Sequence, residues 1–290
     1  MRIEARAKIN WTLDITGQRE DGYHLMDMLM QSVTLHDTVK LTPAEEITLS
    51  CGGSPLLPAD ERHLALRAAR ALQAHCAVRR GAAIHVEKRI PVGAGMGGGS
   101  ADAAAVLAGL NRMWQTGLTQ PELEALGLTL GADVPFCLRG GLTRTQGIGE
   151  IMTDLPCGRC WPLVVIQPCD GLSTKEIFTA YHSEQTHLRP DNGMASDALA
   201  VGDARALNEA MGNVMQPVST LRRPEIAHAI AELRRCGAFA AQMTGSGSAV
   251  IGAFTDAAAA DAAAASLLRL WDGVWRCETC MEGLVIHDED

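Results

Sequence analysis

No apolar run in this 290-residue chain reaches the roughly 18 to 20 residues needed to span a bilayer, so a membrane partner is not expected. No apolar signal-peptide core follows the opening Met-Arg-Ile-Glu-Ala-Arg-Ala-Lys, and the expected location is the cytoplasm. Positive charge is short as well. Lys and Arg number 25 against 34 Asp and Glu, a net charge of -9, which argues against a general nucleic-acid binder. A local basic patch that holds a nucleotide remains compatible with that balance. The cysteines do not form a secreted disulfide framework: there are nine, an odd number, scattered along the chain. Cys157 with Cys160 and Cys277 with Cys280 have Cys-x-x-Cys spacing, but more than a hundred residues separate the pairs. No histidine sits at ligand spacing beside either, so free thiols are expected rather than zinc. No repeat of 20 to 50 residues is present.

What is there is ordinary folded protein, 47% hydrophobic and 20% charged, long enough for two lobes around one site. Arg2 to Leu13 alternates apolar and polar residues, which predicts a half-buried strand with Lys8 and Asn10 on its open face. Gly17 to Gly22 is a polar turn, Leu25 to Leu41 one or two strands, and Ile47 to Cys51 a short strand. Helices are expected over Glu61–Ala77, after the glycine run that follows the strand Ala83–Ile90, and over Gln120–Leu130. Gly131 to Pro135 reads as a turn. A Pro, Gly and Cys-rich stretch from Leu155 to Pro162 suggests a lobe boundary, giving lobes 1–157 and 158–290. Beyond it come the strand Leu163–Gln167 and helices near Thr174–His182, Asp197–Met211 and Arg223–Cys236. A strand pair and the alanine-rich helix Asp256–Trp271 follow. Strands and helices mix without a steady βαβ rhythm, so the fold class is α+β.

The most informative stretch is Pro91-Val92-Gly93-Ala94-Gly95-Met96-Gly97-Gly98-Gly99-Ser100-Ala101. Five glycines in seven residues let several backbone N–H groups approach one anion. The helix that starts directly afterwards favours negative charge at its N-terminus, and Ser100 is placed to cap it or to contact a phosphate or its magnesium. Strand, glycine turn and helix N-terminus make a phosphate cradle. It is not a Walker A loop, because no Gly-Lys-Ser/Thr ends it. Gly93-x-Gly95-x-x-Gly98 matches the dinucleotide fingerprint, but Leu118 to Glu124 reads as turn and helix where that fold needs an acidic strand end. His-Arg-Asp and Asp-Phe-Gly are absent, which sets aside the protein kinases.

This loop resembles the second motif of the GHMP kinase superfamily, which includes galactokinase, homoserine kinase and mevalonate kinase. Ala7-Lys8-Ile9-Asn10, Asp21-Gly22-Tyr23-His24 and Gly131-Ala132-Asp133-Val134-Pro135 resemble, in order, a branch whose acceptor is a cytidine diphosphate derivative of methylerythritol. That branch serves the non-mevalonate route to isoprenoid precursors. Thr244-Gly245-Ser246-Gly247-Ser248 is similar to the superfamily's third motif. The resemblance implies a mixed-sheet N-terminal lobe, a ferredoxin-like C-terminal lobe and an active site between them. It also implies ATP with Mg2+ as the donor and a small-molecule acceptor.

On the residues alone, Lys8 is a solvated charge or a catalytic cation, and Asp133 a turn or cap residue or a base. The resemblance makes them the catalytic pair, with Asp133 accepting or orienting the acceptor hydroxyl. It further assigns Asn10, Tyr23, His24, Gly245 and Ser246 to the substrate side, with Tyr23 and His24 reading the cytosine. Thr174 and Phe178 would close its opposite face, although Phe178 also reads as a core residue of an amphipathic helix. The family's loop often carries two serines where this chain has Ser100-Ala101, so no magnesium ligand is assigned. Met96 stands where leucine is common, a near volume-conserving exchange. Monomer and homodimer both stay open.

Overall fold

A computed structural model describes residues 1–53, 60–181 and 189–288. The alternating opening folds as one long strand, β1 (Arg2–Gln18), whose Ile3, Ala5, Ala7, Ile9 and Trp11 are fully buried. It runs through the expected turn at Gly17, and the chain reverses instead over Arg19–Tyr23, where Arg19 N–H donates to Tyr23 O at 2.8 Å. The return is a single strand, β2 (His24–Ala44), paired antiparallel to β1 from Arg2↔Lys40 to Gln18↔His24. β3 (Ile47–Gly52) lies parallel to β4 (Gly81–Glu87), and β4 is antiparallel to β2. β5 (Leu142–Gly147) and β6 (Ile151–Asp154) extend the sheet from the other end of β2.

Three helices and a short fourth accompany this sheet. α1 (Leu64–His75) packs against α2 (Gly98–Trp114), whose Ala103, Val106, Leu107, Leu110 and Trp114 are buried as their helical spacing predicts. α3 (Gln120–Leu128) starts in a Thr119/Glu122 capping box. Gly131 to Pro135 is only partly a turn, because Val134 and Pro135 already open α4 (Val134–Arg139). Proline at the second helical position removes an N–H that would have had no partner there.

No regular element lies between Asp154 and Pro162, among the described residues. β7 (Pro162–Ile166) is buried along its whole length, and α5 (Thr174–Ala180) follows; His182, expected in that helix, falls outside the described residues. The helix expected over Asp197–Met211 is two: α6 (Asn192–Val201) stops at Gly202, which is left-handed at φ 76°, and Asp203 caps α7 (Ala204–Ala210). β8 (Gly212–Asn213) runs parallel to β1, and α8 (Gln216–Arg222) precedes α9 (Glu225–Arg235). β9 (Ala240–Met243), β10 (Val250–Ala253), the Asp256-capped α10 (Ala257–Leu267), β11 (Val274–Cys280) and β12 (Leu284–His287) complete the order.

The second half is built on the antiparallel order β11-β7-β10-β9, with α9 against β9 and β10 and α10 against β7 and β11. Numbered from β7, that order is 4-1-3-2, the ferredoxin-like arrangement. β11 also pairs with β2 through Thr279↔Val33, so one continuous sheet joins both halves. The fold is thus α+β with a mixed sheet. No helix among the described residues is long and apolar enough to cross a membrane.

Candidate active site

The glycine run leaves β4 and wraps the start of α2. Gly97 occupies the cap position in a left-handed conformation, φ 71°, and makes no side-chain cap bond. Ser100 is therefore not the cap; it lies in the first helical turn. The first backbone bond into this turn is Ala101 N–H to Gly97 O at 2.8 Å. The amides of Gly98, Gly99 and Ser100 precede it and, among the described residues, have no backbone acceptor. Open amides at the positive end of a 17-residue helix form an anion site. A Cβ on Gly97 would stand 3.1 Å from Lys8 Cγ, so the bare backbone lets the loop lie against the lysine. The loop is tied down on both sides: Lys8 N–H donates to Met96 O at 3.0 Å, and Ala249 N–H to Ala94 O at 3.1 Å.

Lys8 and Asn10 are buried, 5% and 0% exposed, so the open face of β1 is the inner wall of a cleft rather than solvent. Lys8 Nζ donates to Asn10 Oδ1 at 2.9 Å and lies 3.6 Å from Asp133 Oδ2. Asp133 sits at the N-cap of α4 but makes no capping bond with its side chain, which leaves the carboxylate turned to Lys8. The Lys8 side chain, shielded from water, thus spends its polar end on these two oxygens.

These residues line a cavity of about 540 Å³ together with the whole run from Pro91 to Ser100. Ala101 lies just behind it, fully buried. Leu13, Met26, Met28, Leu172, Phe178 and Met215 give the cavity an apolar side. There the His24 ring stacks on Phe178, centroids 5.1 Å apart and planes 26° apart, with Tyr181 edge-on to His24. Tyr23 is 62% exposed at the tip of the hairpin, so the ring against Phe178 is His24. Thr174 and Ser246 share a hydroxyl–hydroxyl bond of 2.9 Å across α5 and the loop between β9 and β10. Gly245 joins Ser246 in lining the cleft.

Sequence reasoning missed a buried charge cluster beneath the loop. Lys88 Nζ contacts both Asp37 and Asp102, the latter at 2.7 Å, and all three are nearly or wholly shielded from water. Asp37 Oδ1 also accepts the N–H groups of Arg89 (2.6 Å) and Ile90 (2.8 Å), which fixes the path from β4 into the glycine run. Asp102 Oδ1 has no partner among the described residues. Burial, followed by the Asp37 charge, pushes the Asp102 carboxyl up to about 8 against the pull of Lys88. The only sequence signal was position: Lys88 ends a strand just before the loop, and Asp102 follows Ser100-Ala101. His63 was missed too. Its Nδ1 caps α1 by accepting Ala65 N–H at 3.2 Å, burial lowers its pKa, and its Nε2 has no partner among the described residues at the cleft wall.

A two-lobed α+β fold with a glycine loop at a helix N-terminus, facing a lysine–aspartate pair, defines a small-molecule kinase of the GHMP class. The models of that class match here in two parts, GHMP kinases N terminal domain over residues 63–141 and GHMP kinases C terminal over residues 195–273. The 4-diphosphocytidyl-2-C-methyl-D-erythritol kinase of Clostridioides difficile is 36% identical, the match covering 100% of this chain and 98% of that one. The enzyme of that name from Symbiobacterium thermophilum is 43% identical over 88% of this chain and 91% of its own. A crystal structure of 4-(cytidine 5'-diphospho)-2C-methyl-D-erythritol kinase superposes with a TM-score of 0.83 at 33% identity, covering 96% of this chain and 99% of that one. Homoserine kinase from Cytophaga hutchinsonii shares the fold, with a TM-score of 0.76 at 17% identity over 98% and 96% of the two chains. The chain belongs to the family of 4-diphosphocytidyl-2-C-methyl-D-erythritol kinases.

Proposed function

We propose that this chain transfers the γ-phosphoryl group of ATP to the 2-hydroxyl of 4-diphosphocytidyl-2-C-methyl-D-erythritol, within the cytoplasm. The observation that carries this reading is the Lys8–Asp133 pair, 3.6 Å apart, set beside the glycine run in the cavity that is also lined by Phe178, the ring on which His24 stacks. Phosphoryl transfer asks a protein for positioning and charge stabilisation more than for covalent work. The open amides of Gly98, Gly99 and Ser100 cradle the donor phosphates. The acceptor oxygen forms a bond to the γ-phosphorus as the bond to the β–γ bridging oxygen breaks, and ADP leaves. The hydroxyl proton passes to Asp133. The transfer comes late, as the new O–P bond forms. Lys8 offsets the negative charge that spreads over the transferring group.

Magnesium fits the site. It keeps much of its water and takes one or two protein oxygens with the phosphates, and the Ser100 hydroxyl lines the cleft beside the phosphate cradle. The ion would offset phosphate charge there. On the acceptor side, the His24 and Phe178 rings supply flat faces for the cytosine, with Asn10, Thr174, Gly245 and Ser246 between base and phosphates. Tyr23 reaches this site only if its exposed ring folds over the bound base. We place the lobe boundary at 157/158, in the stretch without regular structure before β7.

The test is ADP release by the purified protein with Mg-ATP and, in turn, the cytidyl acceptor, homoserine, mevalonate and galactose. Turnover with the cytidyl acceptor alone is expected. Turnover on another alcohol with silence on the cytidyl compound would keep a kinase and remove the cytosine pocket.

A further inference from the structure

We propose that Gln242 and Thr244 are positioning residues that hold a bulge in β1 and so aim Lys8 and Asn10 into the cleft. The pairing of β1 with β2 passes from Asn10↔Met30 to Thr12↔Leu29, which leaves Trp11 as an extra residue. A bulge of this kind frees backbone groups from the ladder and re-aims neighbouring side chains. In a buried strand those groups need other partners.

Here the partners come from the far half of the sequence. Asn10 N–H donates to Thr244 Oγ1 at 2.9 Å. Gln242 Nε2 donates to Asn10 O at 3.0 Å and to Trp11 O at 2.9 Å. Gln242 and Thr244 are 6% and 0% exposed, so water does not substitute for either. The ring of the extra residue is pinned as well, with Trp11 Nε1 donating to Gln31 Oε1 at 2.7 Å.

The same hydroxyl reaches the asparagine side chain. Because Thr244 Oγ1 accepts the Asn10 amide, its own proton is free for Asn10 Oδ1, 3.5 Å away. Asn10 Oδ1 in turn accepts Lys8 Nζ at 2.9 Å. Thr244 therefore fixes both the backbone under Asn10 and the face its amide shows to the lysine. The Lys8 ammonium is held between Asn10 Oδ1 and Asp133 Oδ2, and a shift of the bulge moves it from the second oxygen. Misplacement by about 1 Å costs on the order of a hundredfold in rate.

This inference rests on the reading of Lys8 and Asp133 as the working pair, and the experiment separates the two. Steady-state kinetics with the cytidyl acceptor are measured for Thr244→Val, Thr244→Ser and Gln242→Met, beside Lys8→Met and Asp133→Asn. Thr244→Val is expected to lower kcat by at least about tenfold while both KM values stay within about twofold, and Thr244→Ser to restore it. Gln242→Met should shift kcat in the same direction. If Lys8→Met and Asp133→Asn are inactive while Thr244→Val and Gln242→Met keep wild-type kcat, the positioning role alone falls. If Lys8→Met and Asp133→Asn are active, the reading beneath it falls. A loss that Thr244→Ser shares, or a rise in KM at unchanged kcat, also overturns the proposal. Should Thr244→Val not fold, Gln242→Met decides; failure of both to fold assigns the side chains to stability and overturns it too.

Discussion

Gly95 and Gly245 meet backbone to backbone: a Cβ on Gly95 would stand 2.5 Å from Thr244 O, and one on Gly245 would stand 2.6 Å from Gly95 O. Two glycine turns from distant parts of the sequence are thus interlocked, and neither position has room for a side chain. Gly95 is also left-handed at φ 79°, which strains any L-residue by roughly 1–2 kcal/mol before the clash is counted. Gly95→Ala is expected to lower the melting temperature by several degrees and to weaken ATP binding. An unchanged melting temperature would show that the two turns part easily.

Asp133 caps α4 by position and not by hydrogen bond, so its carboxylate is spare for chemistry. Asp133→Asn keeps the shape and removes the proton acceptor. A fall in kcat of roughly 10²–10⁴-fold is expected, with KM for both substrates little changed. Full turnover in this variant would remove Asp133 from the proton path.

The Phe178 ring, stacked on His24, is the flat surface available to a cytosine. Stacking of a base on an aromatic ring is worth about 1–3 kcal/mol, so Phe178→Ala should raise the acceptor KM by roughly five- to a hundredfold. KM for ATP should hold. A change confined to ATP would place the base elsewhere.

Asp102 gives a pH signature with a definite sign. Its carboxyl is ordinarily at 3.8 and burial lifts it to about 8 in the folded protein, so between these values the folded state keeps a proton that the unfolded chain has released. Stability from this group is complete below about pH 4 and is lost as pH rises towards about 8. Urea midpoints for wild type minus Asp102→Asn should therefore fall across that window and level off above it. A difference that rises with pH would mean that Lys88 keeps Asp102 ionised.

The parts of this site that were legible in sequence are those where chemistry and local pattern coincide. The glycine run announces itself because no packing role explains five glycines before a helix, and period two placed Lys8 and Asn10 on one face. That face was not solvent, because a strand's open side is covered only by what folds over it, here the turn containing Thr244 and the loop at Met96. Lys88, Asp37 and Asp102 were silent for a similar reason. Each is unremarkable where it stands, and only the pairing of β2 with β4 and the start of α2 brings them together. Gly202 was the readable break in the helix expected over Asp197–Met211, and a continuous apolar pattern concealed it.

The β11 strand, hydrogen-bonded to β2 on one side and β7 on the other, joins parts of the sheet that are synthesised far apart in time. A ribosome delivers β1 and β2 early, yet β11 and β12, their neighbours in the sheet, emerge only after residue 273. Pairing across such a span is slow to form, and the catalytic strand waits with an unpaired edge until then. Lys8 and the two side chains that hold it, Asn10 and Asp133, are therefore all made well before the strand that closes the edge of their sheet.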